Sequence, residues 1–252
     1  MRVATFNILH GRSPVDGRVD LDRFIDAVRQ LDADVLALQE VDRDQPRSEL
    51  ADLTAVAAQA MGAVSYRFAA AVAGTPGAAW IAATGTEQPG SAAYGIALLS
   101  RYPVRSWQVI RLPWIPFRFP MWLREPAKVL VVKEEPRVAL TGVVSSPHGE
   151  ITVVNTHLSF VPGWNVVQLR RLRRNLRPQP EPVLLMGDLN LSDSRPARFS
   201  GYRPLASAPT FPADAPVRQL DHILRRGRIG PARTVHTPLL PLSDHRPLVV
   251  DL

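Results

Sequence analysis

The stretch Val183-Leu-Leu-Met-Gly-Asp-Leu-Asn190, entered from Pro182, decides how the chain is read. Its apolar run, Val183 to Met186, has the length of a buried strand. The run breaks at Gly187 and delivers a carboxylate, Asp188, and a carboxamide, Asn190, two residues apart. In the two-residue period of a strand those side chains leave the end of a sheet in the same direction. A carboxylate so placed can hold a metal ion or a water, and an amide can grip an oxyanion. A strand followed by an ordinary Asp/Asn turn gives the same pattern, so the rest of the chain has to decide between the two.

Several other segments end in the same way. Arg2 to Leu9 alternates Val3, Thr5 and Asn7 against Ala4, Phe6 and Ile8, and reads as a strand ending near Asn7. Asp34 to Glu40 is a second buried strand that ends on a carboxylate, and Tyr94 to Leu99 is a third. Lys128 to Glu134, Arg137 to Ser145 and Glu150 to Leu158 follow as successive strands, the last carrying Asn155 and His157. Gln219 to Leu224 brings Asp221, and Ser243-Asp244-His245 precedes a final strand from Pro247 to Leu252.

Helical spacing of apolar residues marks Asp20 to Leu31, with Asp20 as N-cap, then Ser48 to Met61 and Asn165 to Leu176. In the last of these Arg170, Arg173, Arg174 and Arg177 face outward, as a solvated surface or as a track for phosphates. Residues 70–92, small and nearly uncharged, suggest a long surface loop. The prolines of 112–123 forbid a helix or a central strand there. The tryptophans and phenylalanines of that segment form either packed cover or an exposed apolar lip. Strands in excess of helices suggest two sheets packed face to face with helices outside.

Composition sets the outer limits. The 252 residues, 46% of them hydrophobic, suffice for one large core. Cysteine is absent, which excludes disulfides and thiolate metal sites and permits a reducing compartment. Any metal must then use oxygen and imidazole ligands, which favours Mg²⁺, Mn²⁺ or Ca²⁺ over a structural zinc. No apolar run approaches the ~20 residues of a membrane span, and the N-terminus enters a strand pattern directly. A cytoplasmic, monomeric protein is the expectation. The net charge is +7, and Lys128 and Lys133 are its only lysines, so the excess is guanidinium. Guanidinium grips phosphate through paired hydrogen bonds, which makes a polyanionic substrate reasonable, although coding bias gives the same composition.

The polar residues at strand ends supply carboxylates for a hard cation, amides for oxyanion contacts, and two imidazoles with a carboxylate to orient them. Phosphoryl hydrolysis requires that set. The motifs TFNI, LQEV, YGIALLS, NTHL, GDLN, QLDHI and SDH occur in that order from Thr5 to His245. In this the chain resembles the endonuclease/exonuclease/phosphatase superfamily, which has the deoxyribonuclease-like fold. The resemblance implies a four-layer α/β sandwich of two mixed β-sheets with helices outside, one catalytic domain over residues 1–252, and a site at one end of the sheets.

By matched position, Glu40 would bind a catalytic Mg²⁺ (or Mn²⁺), helped by Asn7 and Asp244. Asp188 would orient or deprotonate the attacking water, and Asn190 would hold a phosphate oxygen. Asp221 would orient His245 and keep it cationic, while His157 would contact the phosphate or assist the leaving group. Arg124, in Arg-Glu-Pro, resembles a phosphate-contacting arginine of secreted deoxyribonucleases, and Asn155 joins it as a phosphate contact. Abasic-site endonucleases carry Tyr-x-Pro-Asn where this chain has NTHL. The NTHL form is shared by sphingomyelinase-like, inositol-phosphatase-like and several nuclease-like members. Glu125 and Glu150 are the candidates for a carboxylate partner of His157.

Three readings follow. The first is a metal-dependent phosphodiesterase acting on nucleic acid, which the arginine excess favours. The second is a hydrolase of phospholipid head groups or another small phosphoester, with 114–122 as a lip for peripheral membrane contact. The third is a catalytically silent phosphate-binding module. Fold does not choose among them.

Overall fold

The computed structural model describes residues 1–87, 90–124 and 127–252, with 121–132 described by backbone alone except at Val129 and Val131. In chain order the strands are β1 (Arg2–Asn7), β2 (Val35–Arg43), β3 (Ser65–Gly74), β4 (Trp80–Ala82), β5 (Ala93–Ser100), β6 (Val104–Arg111), β7 (Arg118–Arg124) and β8 (Ala127–Lys133). They continue as β9 (Val138–Ser146), β10 (Gly149–His157), β11 (Val183–Asp188), β12 (Arg203–Pro204), β13 (Asp221–Arg226), β14 (Thr234–His236) and β15 (Leu248–Asp251). The helices are α1 (Leu21–Leu31), α2 (Leu53–Met61), α3 (Trp164–Asn175) and α4 (Arg195–Ser200).

Two mixed sheets result, one in the order β14-β15-β1-β2-β5-β3-β4 and one in the order β12-β13-β11-β10-β9-β6. The pairs β1/β2 and β10/β11 are parallel within otherwise antiparallel surroundings. Strands β7 and β8 form a separate two-stranded hairpin.

The alternation along each strand sorts the layers. Val3, Val35, Ala37 and Leu98 of the first sheet meet Leu140, Val153, Leu184 and Met186 of the second in one buried core. The opposite neighbours Ala4, Phe6, Leu36 and Leu38 pack outward against Phe24, Val28 and Leu31 of α1 and Leu53 and Ala57 of α2. On the other side Val154, Val183 and Leu185 pack against Leu169 and Leu172 of α3. Helix, sheet, sheet and helix make the four layers expected from the sequence.

The facing cores are not wholly apolar near one end. Asn155, fully buried on β10, reaches across and donates from Nδ2 to the carbonyls of Leu38 (2.8 Å) and Ala97 (2.7 Å) in the first sheet. Its Oδ1 accepts from Gln39 Nε2 at 2.7 Å, and the same amide donates to Thr5 Oγ1 at 3.0 Å. These bonds fix the relative position of the two sheets, because a buried amide left unpaired costs more than the bond contributes. Gly187 does comparable work within the second sheet. Its φ is +140°, and a Cβ there would sit 1.9 Å from the Thr156 carbonyl oxygen. A side chain at 187 would therefore separate β10 from β11.

Some sequence expectations shift. The helix read from Ser48 begins at Leu53, because Asp52 Oδ1 accepts from the Thr54 and Ala55 amides and caps it. Upstream, Glu49 and Leu50 have φ of 58°, outside the helical range, and Ser48 Oγ is engaged with Asp42. The loop read over 70–92 is partly strand: β3 runs to Gly74 and pairs with β4 and β5. Its small side chains carry little apolar periodicity, so pairing rather than pattern makes it a strand. Strand β6 and helix α4 gave no signal in that reading. The proline-bearing segment enters neither large sheet, and Pro120 lies in β7 of the isolated hairpin.

Asn155→Leu, which keeps the branched shape but none of the polar atoms, removes the donor to the Leu38 and Ala97 carbonyls and the acceptor of one Gln39 Nε2 bond. Denaturant unfolding is expected to show a loss of about 2–4 kcal/mol. A loss under ~0.5 kcal/mol would contradict the bridging role.

Candidate active site

Asn7, His157 and Asp188 stand at the C-terminal ends of β1, β10 and β11, and His157 pairs directly beside Asp188 in register. Glu40 reaches the same end by a different device. The β2/β5 register breaks between Gln39 and Val41, and Glu40, the extra residue, has φ of 56°. The bulge turns a side chain that regular pleating would align with its neighbours. Left-handed non-glycine backbone gathers nearby: Leu9 (45°), His10 (48°), Asn190 (48°) and Ser243 (67°). Each costs on the order of 1–3 kcal/mol, and such conformations persist where surrounding bonds impose them. Ser243 is held by its N–H to Arg12 O (2.8 Å) and its Oγ to Asn7 O (2.6 Å). Asn190 donates its N–H to Asp188 Oδ1 at 2.9 Å and its Nδ2 to Leu158 O at 3.0 Å.

Asn7, His10, Glu40, His157, Asp188 and Asn190 line a polar cleft of about 370 Å³ together with Asp244, His245, Arg47, Lys133, Glu135 and Arg137. Asp188 Oδ2 is its centre: Asn7 Nδ2 donates to it at 3.1 Å, with His157 Nε2 at 3.4 Å and His245 Nε2 at 3.8 Å. Asn7 Nδ2 also donates to Glu40 Oε1 at 3.0 Å. Behind His245, Asp221 accepts from Nδ1 at 2.8 Å, and the Phe211 ring packs on the imidazole at 4.9 Å between centroids.

The two histidines carry opposite protonation. Burial lowers the pKa of His245, but the Asp221 charge and hydrogen bond, with Asp188 and Asp244 beyond, outweigh it and raise the value to about 10. His157 is held well below the ordinary imidazole range by burial, then by Arg137 and by cationic His245. Arg137 Nη1 lies 3.0 Å from His157 Nδ1. A guanidinium only donates, so Nδ1 accepts and the ring proton sits on Nε2, toward Asp188. Burial and the nearby Asp221 carboxylate push Asp188 upward, against His245 and the bonds from Asn190 and Asn7. Burial raises Glu40 as well, against its bond from Asn7.

Asp188, Asp221 and His245 are close enough to present one ligand atom each to a common ion. The Nδ1 contact at 2.8 Å, however, already pairs Asp221 with His245. The cleft carboxylates not paired in that way, Glu40 and Asp244, are the better donors, and Asn7 orients Glu40 and Asp188 by donating from Nδ2 to both. An all-oxygen set fits a hard divalent cation.

Of the residues expected from sequence, Asn7, Glu40, His157, Asp188, Asn190, Asp244 and His245 share this cleft, with Asp221 directly behind it. Asn155 does not: its amide is engaged between the sheets and turned away from any phosphate. The side chain of Arg124, like Glu125, lies outside the described residues. Glu150 is no partner for His157, since it lies at the opposite end of β10, paired with Arg105. A guanidinium, Arg137, occupies the place where a carboxylate was sought. Sequence reading had Arg137 only as a strand start; its signal was a lone cation opening an apolar run. Arg47, fixed by two 2.8 Å bonds to buried Asp42, gave no signal, because the short turn that turns it back toward Asp42 has no periodicity.

The family model described as Endonuclease/Exonuclease/phosphatase family matches residues 4–245. An endonuclease/exonuclease/phosphatase from Beutenbergia cavernae is 25% identical, with TM-score 0.73, over 99% of this chain and 70% of that one. Sphingomyelinase C from Streptomyces griseocarneus shares the fold at 16% identity and TM-score 0.62, covering 99% and 98%. So does a mannosyl-6-phosphatase from Bacteroides thetaiotaomicron, at 16% and 0.62, covering 100% and 98%. No curated protein sequence matches the chain.

Asp221→Asn removes the charge that holds the His245 proton. In NMR of ring-labelled protein, the wild-type imidazole should titrate near pH 10 and that of the variant well below it. Because folding raises this pKa, the pair stabilises the fold fully below ~6.5 and loses that contribution as pH climbs through the folded value. An unchanged titration in the variant would refute the pairing.

Proposed function

Because the chain belongs to the endonuclease/exonuclease/phosphatase family, we propose that it is a divalent-cation-dependent phosphoester hydrolase acting on a small phosphoester or a lipid head group. The observation that carries the hydrolase reading is the convergence of Asp188, His157 and cationic His245 on one oxygen of one cleft. Glu40 and Asp244, with Asn7 orienting Glu40 through Nδ2, would hold Mg²⁺ or Mn²⁺, which would supply Lewis-acid polarisation of the phosphoryl group. Asp188, its carboxyl raised by burial, orients and deprotonates the attacking water. His245 stays charged and stabilises the developing negative charge. Asn190, His157 through Nε2–H, and Arg137 contact the phosphate oxygens.

Two features favour a small substrate over a nucleic-acid backbone. The cleft, at about 370 Å³, has room for one phosphorylated group. Arg173, Arg174 and Arg177, at and just past the C-terminal end of α3, do not lead to it. Asn165 at the start of α3 donates to Asn190 O at 2.8 Å, so that end adjoins the site. The carbonyl of Leu176, just past the other end, accepts from Arg226, which pairs with Val183 at the start of β11. The length of β11, roughly 16 Å, therefore separates Arg173, Arg174 and Arg177 from the cleft. Nucleic acid remains the second reading, supported by the net charge of +7.

The lipid form of the first reading has its own support. Val129 (57% exposed) and Val131 (69%) stand on one face of β8, and Phe117 (65%) lies just before β7. Lys133, two residues beyond Val131 on the same face, lines the cleft. An exposed apolar patch beside a phosphate-binding cleft suits an interface with a bilayer surface. No helix among the described residues is long and apolar enough to cross a membrane.

Hydrolysis should be assayed with and without Mg²⁺ or Mn²⁺. The substrates would be single- and double-stranded DNA, RNA, sphingomyelin, a phosphoinositide, a sugar phosphate and an aryl phosphodiester. Turnover is expected on the small or lipid phosphoesters, removed by chelation and reduced about 10²–10⁴-fold in Asp188→Ala. Cleavage confined to nucleic acid would replace the substrate assignment, and silence throughout would sink the hydrolase reading.

In Val129→Glu/Val131→Glu, turnover of vesicle-bound lipid should fall while that of a soluble ester is retained. Equal loss on both would remove the hairpin from the membrane surface.

A further inference from the structure

A second cavity opens beside the catalytic cleft, and its chemistry is the opposite. It measures about 610 Å³ and is walled by Pro14, Val15, Pro212, Leu239, Leu240 and Pro241. Val15 and Leu239 stand 94% and 59% exposed at its rim. Asp244 lines both this groove and the cleft, so one side chain forms the partition.

The walls are set by hydrogen bonds within the free protein. The Ala213 N–H donates to Asp244 O at 2.8 Å, and Arg246 Nε donates to Ala213 O at 2.6 Å. The Ser243 N–H donates to Arg12 O at 2.8 Å, which joins the 12–15 loop to the same partition. A preformed concave apolar surface costs little to organise on binding. Among the described residues no basic one lines the groove, while Asp214 and Asp244 stand at its edge. A phosphate-bearing strand would be repelled there, whereas an alkyl chain gains by leaving water.

Resting on the phosphoester reading above, we propose that the groove holds the aliphatic part of a substrate whose phosphate lies in the cleft. The substrate class is then an amphiphilic phosphoester: a charged phosphoryl group on one side of Asp244 and a hydrocarbon chain on the other. Neither cavity alone satisfies such a molecule, since the cleft is lined by charged side chains and the groove offers no cation. Val15 and Leu239 act as specificity residues, remote from the reacting atoms.

The test compares binding of methylphosphonate and octylphosphonate, which carry no P–O–C ester bond to be hydrolysed, to the full chain with Mg²⁺ by titration calorimetry. The octyl compound should bind about 10- to 100-fold more tightly, from the burial of its methylenes. Leu239→Asp and Val15→Asp, both at exposed positions, should bring that ratio to about one and leave methylphosphonate binding unchanged. A ratio near one in the wild type, or one that survives in both variants, overturns the proposal, and so does failure of either compound to bind. A wild-type dimer that Leu239→Asp dissociates, with no effect of chain length, would give the groove to a second copy of the chain and also overturn it. Because the readout is binding, loss of the hydrolase reading through absent turnover is seen separately in the substrate panel.

Discussion

The position of every functional side chain depends on how the two sheets are locked against each other at one end, and the Asn155 amide does much of that locking. Its Nδ2 bonds the carbonyls of Leu38 and Ala97, in paired strands immediately before the bulge at Glu40. An apolar interface between sheets is non-directional and tolerates small sliding. Three short buried hydrogen bonds do not, because a shift leaves donors and acceptors unpaired in a low-dielectric interior. The bulge can then present Glu40 toward Asp188 across the sandwich, with Asn7 donating to both.

From that constraint the electrostatics follow. Asp188 comes from the second sheet and Glu40 from the first, and both are raised by burial. Two carboxylates at such a junction repel, and Asn7, cationic His245 and Arg137 offset part of that repulsion. His245 is itself held charged by Asp221, whose second oxygen has no hydrogen-bond partner among the described residues. Neutral His157 completes the set, kept so by burial and by the Arg137 guanidinium at its Nδ1. The arrangement has one donor-only imidazolium and one imidazole with a defined N–H, which is a division of labour that burial alone would not produce.

How much of this was legible depended on the range of the interaction. Strand alternation set Val3, Thr5 and Asn7 against Ala4, Phe6 and Ile8, because side-chain direction in a strand is a local property. The terminal polar residues Asn7, Glu40, His157 and Asp188 could be read for the same reason. Asn155 could not be separated from them. It has the same two-residue phase as His157, and only the position of the facing sheet turns it from a ligand candidate into a strut. Arg137 and Arg47 depend on loops and turns without periodicity, where sequence patterns carry no direction. The bulge at Glu40 likewise left no mark, since nothing in Leu-Gln-Glu-Val requires a left-handed glutamate.

The distribution of charge bears on the substrate more than its sum does. A net charge of +7 suggests a polyanion when read as a single number. The structure divides it: the exposed Arg173, Arg174 and Arg177, at and just past the C-terminal end of α3, lie toward one end of the sandwich, and a mixed cleft at the other. In that cleft Arg47, Lys133 and Arg137 face Glu40, Glu135, Asp188 and Asp244. Such a site attracts a phosphate only once a cation joins the carboxylates, and it does so over a short range. Long-range steering of nucleic acid by the arginine face would bring the polymer to the wrong end of the molecule. What surrounds the catalytic end instead is apolar: Val129, Val131 and Phe117 on one flank and the groove past Asp244 on another. Recognition of an amphiphile requires polar chemistry bounded by apolar surface, and at this end of the fold a charged cleft adjoins such surface.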